Sequence, residues 1–257
     1  MDRAGAPLSA RARRPPDASG RQIVIFRIKR FDPDSGRRAS WHAYAVDARP
    51  RMSVRDGLFW ILEHADGTLG FRYSCRAGMC GSCAVVINGR EDLACRHRLD
   101  HLASPVHIEP LRSLAVIKDL VVDMTAFFAN YKAVDPFYVG EDPAMTGPVA
   151  APAIVPAQPD VRGLVDQQLG CISCGACYSA CPVVALNPAY LGPAALNRAY
   201  VLSADVRDAR GDDRAGLVLG EGGVFACHDA GNCVAACPVG IQPLLSIQLL
   251  RKRAARA

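Results

Sequence analysis

Eleven cysteines stand in this chain of 257 residues, and their spacing is its strongest chemical signal. Cys75, Cys80 and Cys83 fall as Cys-x4-Cys-x2-Cys, and Cys95 follows after eleven intervening residues. Cys171, Cys174, Cys177 and Cys181 form Cys-x2-Cys-x2-Cys-x3-Cys ahead of Pro182. Residues 227–238 repeat that period as Cys-x2-Ala-x2-Cys-x3-Cys-Pro, with Ala230 where the second cysteine belongs. An odd number of cysteines without a secretion signal is expected to stay reduced, so thiolate ligation of metal explains them better than disulfides.

The first set has the plant-type ferredoxin spacing of a [2Fe–2S] centre. Three thiolates must converge from one short loop, and the spacers Gly78, Gly81 and Ser82 are small enough for the backbone to approach a cluster closely. A lone Cys-x2-Cys would suit zinc, but four cysteines in this pattern point to iron and sulfide. The second run has the bacterial-ferredoxin period, in which the first three cysteines serve one cluster and the fourth serves the other. Applied here, Cys171, Cys174, Cys177 and Cys237 would hold a [4Fe–4S] cluster. Cys181, Cys227 and Cys233 remain for the other cluster, and Ala230 offers no ligand atom. Three thiolates suit a [3Fe–4S] cluster, and all eleven cysteines are then used. A zinc-ribbon reading leaves cysteines over.

His228 directly follows Cys227 and is a candidate to hydrogen-bond a quinone or carry a proton to it, although a lone histidine is more often a solvated or core-satisfied residue. Pro182 and Pro238 read as structural residues that end turns beside the clusters. The cations Arg251, Lys252, Arg253 and Arg256 could touch anionic lipid, but a solvated helix end, where positive charge is favoured, is the simpler reading.

The elements that must position these residues differ between the halves. In residues 22–31, Val24, Phe26 and Ile28 alternate on one strand face, and the turn Asp32-Pro-Asp-Ser-Gly36 leads to a second strand near residues 41–46. Ser53 with Asp56 resembles a capping box ahead of Val54, Leu58, Ile61, Leu62 and Ala65 at helical spacing. Residues 84–87 run as a strand into the tight turn Asn88-Gly89. These make a small α+β domain over residues 21–113. The rest, residues 114–257, reads as mostly α, with helices expected over 114–128, 191–202 and 244–252 and a Pro-rich loop over 140–160.

Hydrophobic residues make up 50% and charged residues 21%, an ordinary globular balance. The apolar run at 114–128 is broken by Lys118, Asp119 and Asp123, so no segment is expected to span a bilayer. Formal net charge is +5, but residues 1–30 carry eight Arg or Lys and two Asp, so the basic character belongs to the N-terminal segment. Arg13-Arg14 lacks the following apolar run of a twin-arginine signal. An organellar transit peptide also fits the Arg-rich start, but a disordered basic tail over residues 1–20 of a cytoplasmic bacterial protein is the simpler expectation.

A plant-type [2Fe–2S] domain followed by a helical [4Fe–4S]/[3Fe–4S] domain resembles the iron–sulfur subunit of succinate dehydrogenase and fumarate reductase. The supporting stretches are Tyr73–Cys83, Lys118–Met124, Cys171–Pro182, Asn187-Pro188 and Gly192–Ala195, the last ones closer to the fumarate reductase branch. The resemblance implies an α+β fold: an N-terminal β-grasp ferredoxin domain followed by an all-α bacterial-ferredoxin-like domain. It also implies an electron relay between the FAD of a flavoprotein subunit and quinone beside membrane anchor subunits, at the cytoplasmic face of a bacterial inner membrane, with no nucleic-acid partner. Pro182, Leu186 and His228 would lie near the quinone. The chain departs from the mitochondrial-type pattern in carrying Ala185 and Leu186 where that branch has a tryptophan pair, while His228 matches the succinate dehydrogenase branch. The direction of turnover and the quinone are left open. The subunit of another flavoenzyme complex, a free-standing multi-cluster ferredoxin and a zinc-stabilised interaction protein are the rival readings.

Overall fold

The computed structural model describes residues 22–140 and 159–255. The expected basic tail and all but the ends of the Pro-rich loop lie outside the described residues. The chain divides into two compact units, one running to Pro110 and taking back Val116–Val122, the other holding Leu111–Ala115 and the chain from Asp123 onward.

In the first unit β1 (Gln22–Arg30) pairs antiparallel with β2 (Ser40–Ala48) from Gln22↔Ala48 to Arg30↔Ser40. The turn between them closes on Asp32, whose carboxylate accepts from the Asp34 N–H at 3.1 Å. Val24, Phe26 and Ile28 are buried on one face, as their alternation requires. Helix α1 (Val54–His64) opens on the capping box: Ser53 Oγ accepts the Asp56 N–H at 3.2 Å and Asp56 Oδ2 accepts the Ser53 N–H at 2.9 Å. It lies against β1 at Gly57, where a Cβ would sit 2.3 Å from the Phe26 ring. Strands β3 (Ala84–Ile87) and β4 (Arg90–Leu93) form a hairpin on Asn88 and Gly89, both at positive φ. Strand β5 (Val106–Glu109) runs parallel to β1 and antiparallel to β3, giving the mixed order β2-β1-β5-β3-β4.

The apolar run expected as a helix over 114–128 divides instead. Strands β6 (Val116–Lys118) and β7 (Val121–Val122) form a hairpin turning at Asp119 (φ 49°), and α2 (Thr125–Lys132) follows. Short Val/Ile-rich runs carry no period that separates strand from helix. Here the buried Asp119 carboxylate decides: it accepts the Phe31 N–H at 2.9 Å, the Gly70 N–H at 2.7 Å and Arg30 Nε at 2.8 Å. Asp119 thereby joins the end of β1, the hairpin and the start of the loop that carries Cys75, Cys80 and Cys83. Arg30 also reaches Thr68 Oγ1 at 2.9 Å, completing a clasp under that loop.

The second unit is helical: α3 (Pro159–Leu169), α4 (Ala176–Ser179), α5 (Pro182–Leu186), α6 (Pro193–Ser203), α7 (Gly211–Leu217), α8 (Asn232–Ala235) and α9 (Pro243–Ala254). Helix α6 is the hub, buried along all but Arg198, and packs against α2, α3, α4, α7 and α9. Its Asn197 donates to Gln168 O at 3.2 Å and accepts from Ser246 Oγ at 2.7 Å, tying three helices through one buried amide. Arg214 on α7 is fully buried, bonded to both carboxylate oxygens of Asp208 at 3.0 Å and to the carbonyls of Asp135 and Phe137. No helix of the described residues is long and apolar enough to cross a membrane.

Asp119→Ala strands two backbone N–H groups and one face of Arg30, at a cost of about 3 kcal/mol. Denaturant unfolding should show that loss, with Asp119→Asn intermediate. A cost below about 1 kcal/mol would mean the carboxylate does not fasten the cysteine loop.

Candidate metal centres

In the first unit the cysteine loop folds back on itself through Arg76, Gly78 and Gly81, all at positive φ. This wraps successive amides around one sulfur: Cys75 Sγ accepts N–H groups from Ala77 at 3.4 Å, Met79 at 3.3 Å and Cys80 at 3.3 Å. Such donors favour a thiolate. The Ser82 hydroxyl, then the Cys75 backbone, bring the Cys80 thiol down to about 6. Burial pushes the Cys83 thiol up to about 12; the Cys95 backbone works against it, while the Cys95 and Cys80 thiols add to it. Cys95 lies just past β4, where the Ala94 N–H bonds Cys83 O at 3.0 Å. Gly78, at φ 72°, passes under Arg96; a Cβ there would meet its side chain at 3.0 Å. The loop and the strand end therefore bring Cys75, Cys80, Cys83 and Cys95 together.

The second unit repeats one local fold twice. Ser173 (φ 51°) and Asp229 (φ 55°) make the same turn, and Gly175 (φ 79°) and Gly231 (φ 76°) open the four-residue helices α4 and α8. The Ser173 amide serves Cys171 as the Asp229 N–H serves Cys227 Sγ, the latter at 3.4 Å. In that register Ala230 occupies the position of Cys174. Asn232 Nδ2 donates to Ala180 O at 3.1 Å and fastens one repeat to the other.

The thiols then sort across the repeats. Burial pushes Cys174 up to about 12, with Cys171 and Cys237 adding to it. Burial also raises Cys177, and Cys174, Cys171, Cys233 and Cys237 add to it. Burial likewise pushes Cys233 up to about 12, aided by Cys181 and Cys227. One set is thus Cys171, Cys174, Cys177 and Cys237, the other Cys181, Cys227 and Cys233, and they adjoin at Cys177 and Cys233. The three-thiol set lines a cleft of about 300 Å3, counting its open mouth, together with Ala230, Tyr190, Pro182 and His228.

All eleven cysteines are free. Among the described residues no three His, Cys, Asp or Glu side chains close on a point where one ion could sit. Thiols gathered in fours and a three, with amides turned onto Cys75 and Cys227, fit clusters that spread their ligands over several irons.

Comparison with known proteins agrees. The model of a 2Fe-2S iron-sulfur cluster binding domain matches residues 25–129, and that of a 4Fe-4S dicluster domain matches residues 167–241. The fumarate reductase iron-sulfur subunit of Mycobacterium tuberculosis is 40% identical over 235 residues, covering 90% of this chain and 93% of that one. The chain belongs to the fumarate reductase and succinate dehydrogenase iron–sulfur subunit family. The Haemophilus influenzae fumarate reductase iron-sulfur subunit is 33% identical over 88% of this chain and 90% of its own. A chain of the Mycobacterium smegmatis Sdh1 complex in the apo form superposes with a TM-score of 0.77 at 27% identity, covering 91% of this chain and 96% of that one. A hypothetical protein from Helicobacter pylori shares the fold alone, with a TM-score of 0.55 at 14% identity, and this chain covers 40% of it.

Within this family member, several site residues sit otherwise than expected. Pro182 does not end a turn but opens α5 as its first residue, with Cys181 at the N-cap. Pro182 and His228 are at the cleft, whereas Leu186, 82% exposed, ends α5 outside its lining. Arg251 is no solvated helix end. It donates to Val224 O at 2.9 Å, to Asp229 Oδ2 at 2.6 Å and to Cys227 O, clamping the loop that carries Cys227. Arg253 donates to Ser203 O. Tyr190 in the cleft was not foreseen, although it stands two residues after Asn187-Pro188.

Proposed function

We propose that this chain is the electron-transfer subunit of a succinate:quinone or quinol:fumarate oxidoreductase. Cys75, Cys80, Cys83 and Cys95 would hold a [2Fe–2S] cluster, Cys171, Cys174, Cys177 and Cys237 a [4Fe–4S] cluster, and Cys181, Cys227 and Cys233 a [3Fe–4S] cluster. Bound, such clusters supply one-electron carriers between the FAD of a flavoprotein subunit and a quinone at membrane anchor subunits. The observation that carries the reading is the sorting of the thiols into sets of four, four and three, with Ala230 in the lining of the set of three.

The chain's own residues hold and shield these groups. The Ala77, Met79 and Cys80 amides stabilise negative charge on Cys75, as the Asp229 amide does on Cys227. Cys83 in the first set and Cys181 and Cys233 in the three-thiol set are buried, which limits the water that reaches those sulfurs. His228 and Pro182, in the lining of the three-thiol cleft, would meet the quinone head group, with His228 as the hydrogen-bonding partner. Leu186, and Phe225 at 62% exposure, leave large apolar side chains in solvent on the segments that carry Pro182 and Cys227. In the proposed complex the chain would dock against the anchor at the cytoplasmic face of the membrane.

Anaerobic iron and sulfide analysis should give about nine irons per chain, the sum of a two-, a four- and a three-iron cluster. About four irons, or stoichiometric zinc, would sink the assignment. In the complex co-purified with its flavoprotein and anchor, His228→Leu should lower quinone turnover several-fold and leave succinate oxidation with an artificial acceptor intact. Equal loss in both assays would make His228 structural; failure to co-purify would remove the partners.

A further inference from the structure

The cleft that gathers Cys181, Cys227 and Cys233 also buries a phenol. Tyr190 is 1% exposed and lines the cleft, and its hydroxyl has no hydrogen-bond partner among the described residues. Leaving a buried hydroxyl unpaired costs about 1–3 kcal/mol. Native folds seldom keep one unless a group outside the chain completes it.

The residue is not loosely placed. The Tyr190 N–H donates to Asn187 O at 3.1 Å, and its carbonyl accepts from Asn130 Nδ2 at 3.1 Å. The next amide, Leu191 N–H, donates to Gly222 O at 2.8 Å. Gly222 is pressed so close that a Cβ on it would lie 1.8 Å from Ala189 O. Clamped on both sides, the backbone gives the ring one position in the cleft. Cys181, Cys227 and Cys233 line the same cleft, so their sulfurs are acceptors that the phenol oxygen shares it with. A protonated phenol is a donor, and thiolate and sulfide are acceptors. Asn232, another polar side chain of the lining, is already engaged with Ala180 O.

Resting on the three-iron reading above, we infer that the Tyr190 hydroxyl donates a hydrogen bond to sulfur at the cluster held by Cys181, Cys227 and Cys233, and so raises that cluster's reduction potential. Reduction adds negative charge that spreads onto the sulfurs, so a fixed donor stabilises the reduced form more than the oxidised one. Tyr190 is then a positioning and tuning residue; it acts through the cluster and touches no substrate.

Tyr190→Phe keeps the ring and removes only the oxygen. An electron paramagnetic resonance redox titration of the intact complex should place the three-iron signal at a lower midpoint. The reduced-to-oxidised ratio at fixed potential should fall by about three- to tenfold, tenfold being about 59 mV for one electron. The other two clusters should not move. In deuterated water, pulsed resonance should detect an exchangeable deuteron coupled to the three-iron spin in the wild type and lose it in the variant. Tyr200→Phe removes the hydroxyl of another buried tyrosine, one outside the cleft lining, and should change neither readout. An unmoved midpoint with the deuteron retained overturns the inference, as does a shift of all three midpoints together or loss of the cluster, which would mark Tyr190 as structural. A wild type without any three-iron signal overturns the cluster reading itself and the inference with it.

Discussion

Charging several sulfurs in a shared, partly buried space is unfavourable twice over, once for lost hydration and once for their mutual repulsion, and the second unit above all is organised around that cost. Burial pushes Cys83, Cys174 and Cys233 to about 12 and raises Cys177 as well, so without a cation these thiols stay protonated at neutral pH. Bound iron would offset the charge and release those protons, and in that way would couple the clusters to the stability of the fold. The backbone supplies the rest of the compensation, with three amides turned onto Cys75 and one onto Cys227.

The second unit answers the same constraint with a duplicated turn. Helices of four residues such as α4 and α8 bury too little to stand alone. They are held from outside, by Asn232 across the repeats, by α6 beneath α4 and by Arg251 from α9. In the proposed assignment each run lends its last cysteine to the other set, so each site would need both runs in place. Against so close a local repeat, the replacement of Cys174's counterpart by Ala230 is a change of chemistry with no change of backbone, since Gly175 and Gly231 and their flanking turns keep matching φ.

Ligand geometry is written locally, which is why the cysteine spacing alone located the candidate site. Three thiols of the first set lie within residues 75–83, and three of the second within residues 171–177. The β1–β2 hairpin, the capped α1 and the Asn88-Gly89 turn were legible for the same reason. What failed was long-range. The hairpin β6–β7 hides in an apolar run and depends on Asp119 reaching Arg30, 89 residues away in sequence. Arg251 looks like a solvated cation until the fold brings the Cys227 carbonyl beside it. Tyr190 carries no motif; only its burial and its unpaired oxygen single it out.

The most direct test is Ala230→Cys, followed by low-temperature electron paramagnetic resonance. The wild type, oxidised, should show the half-integer-spin signal of a [3Fe–4S] centre. A thiol introduced at this position faces the cleft that Cys181, Cys227 and Cys233 line, so it should complete a four-thiolate site, turn the cluster into [4Fe–4S] and abolish that signal. The same signal at full intensity, with the introduced thiol free and alkylatable, would contradict the account and mean that the two repeats do not bind metal in the register their backbones share.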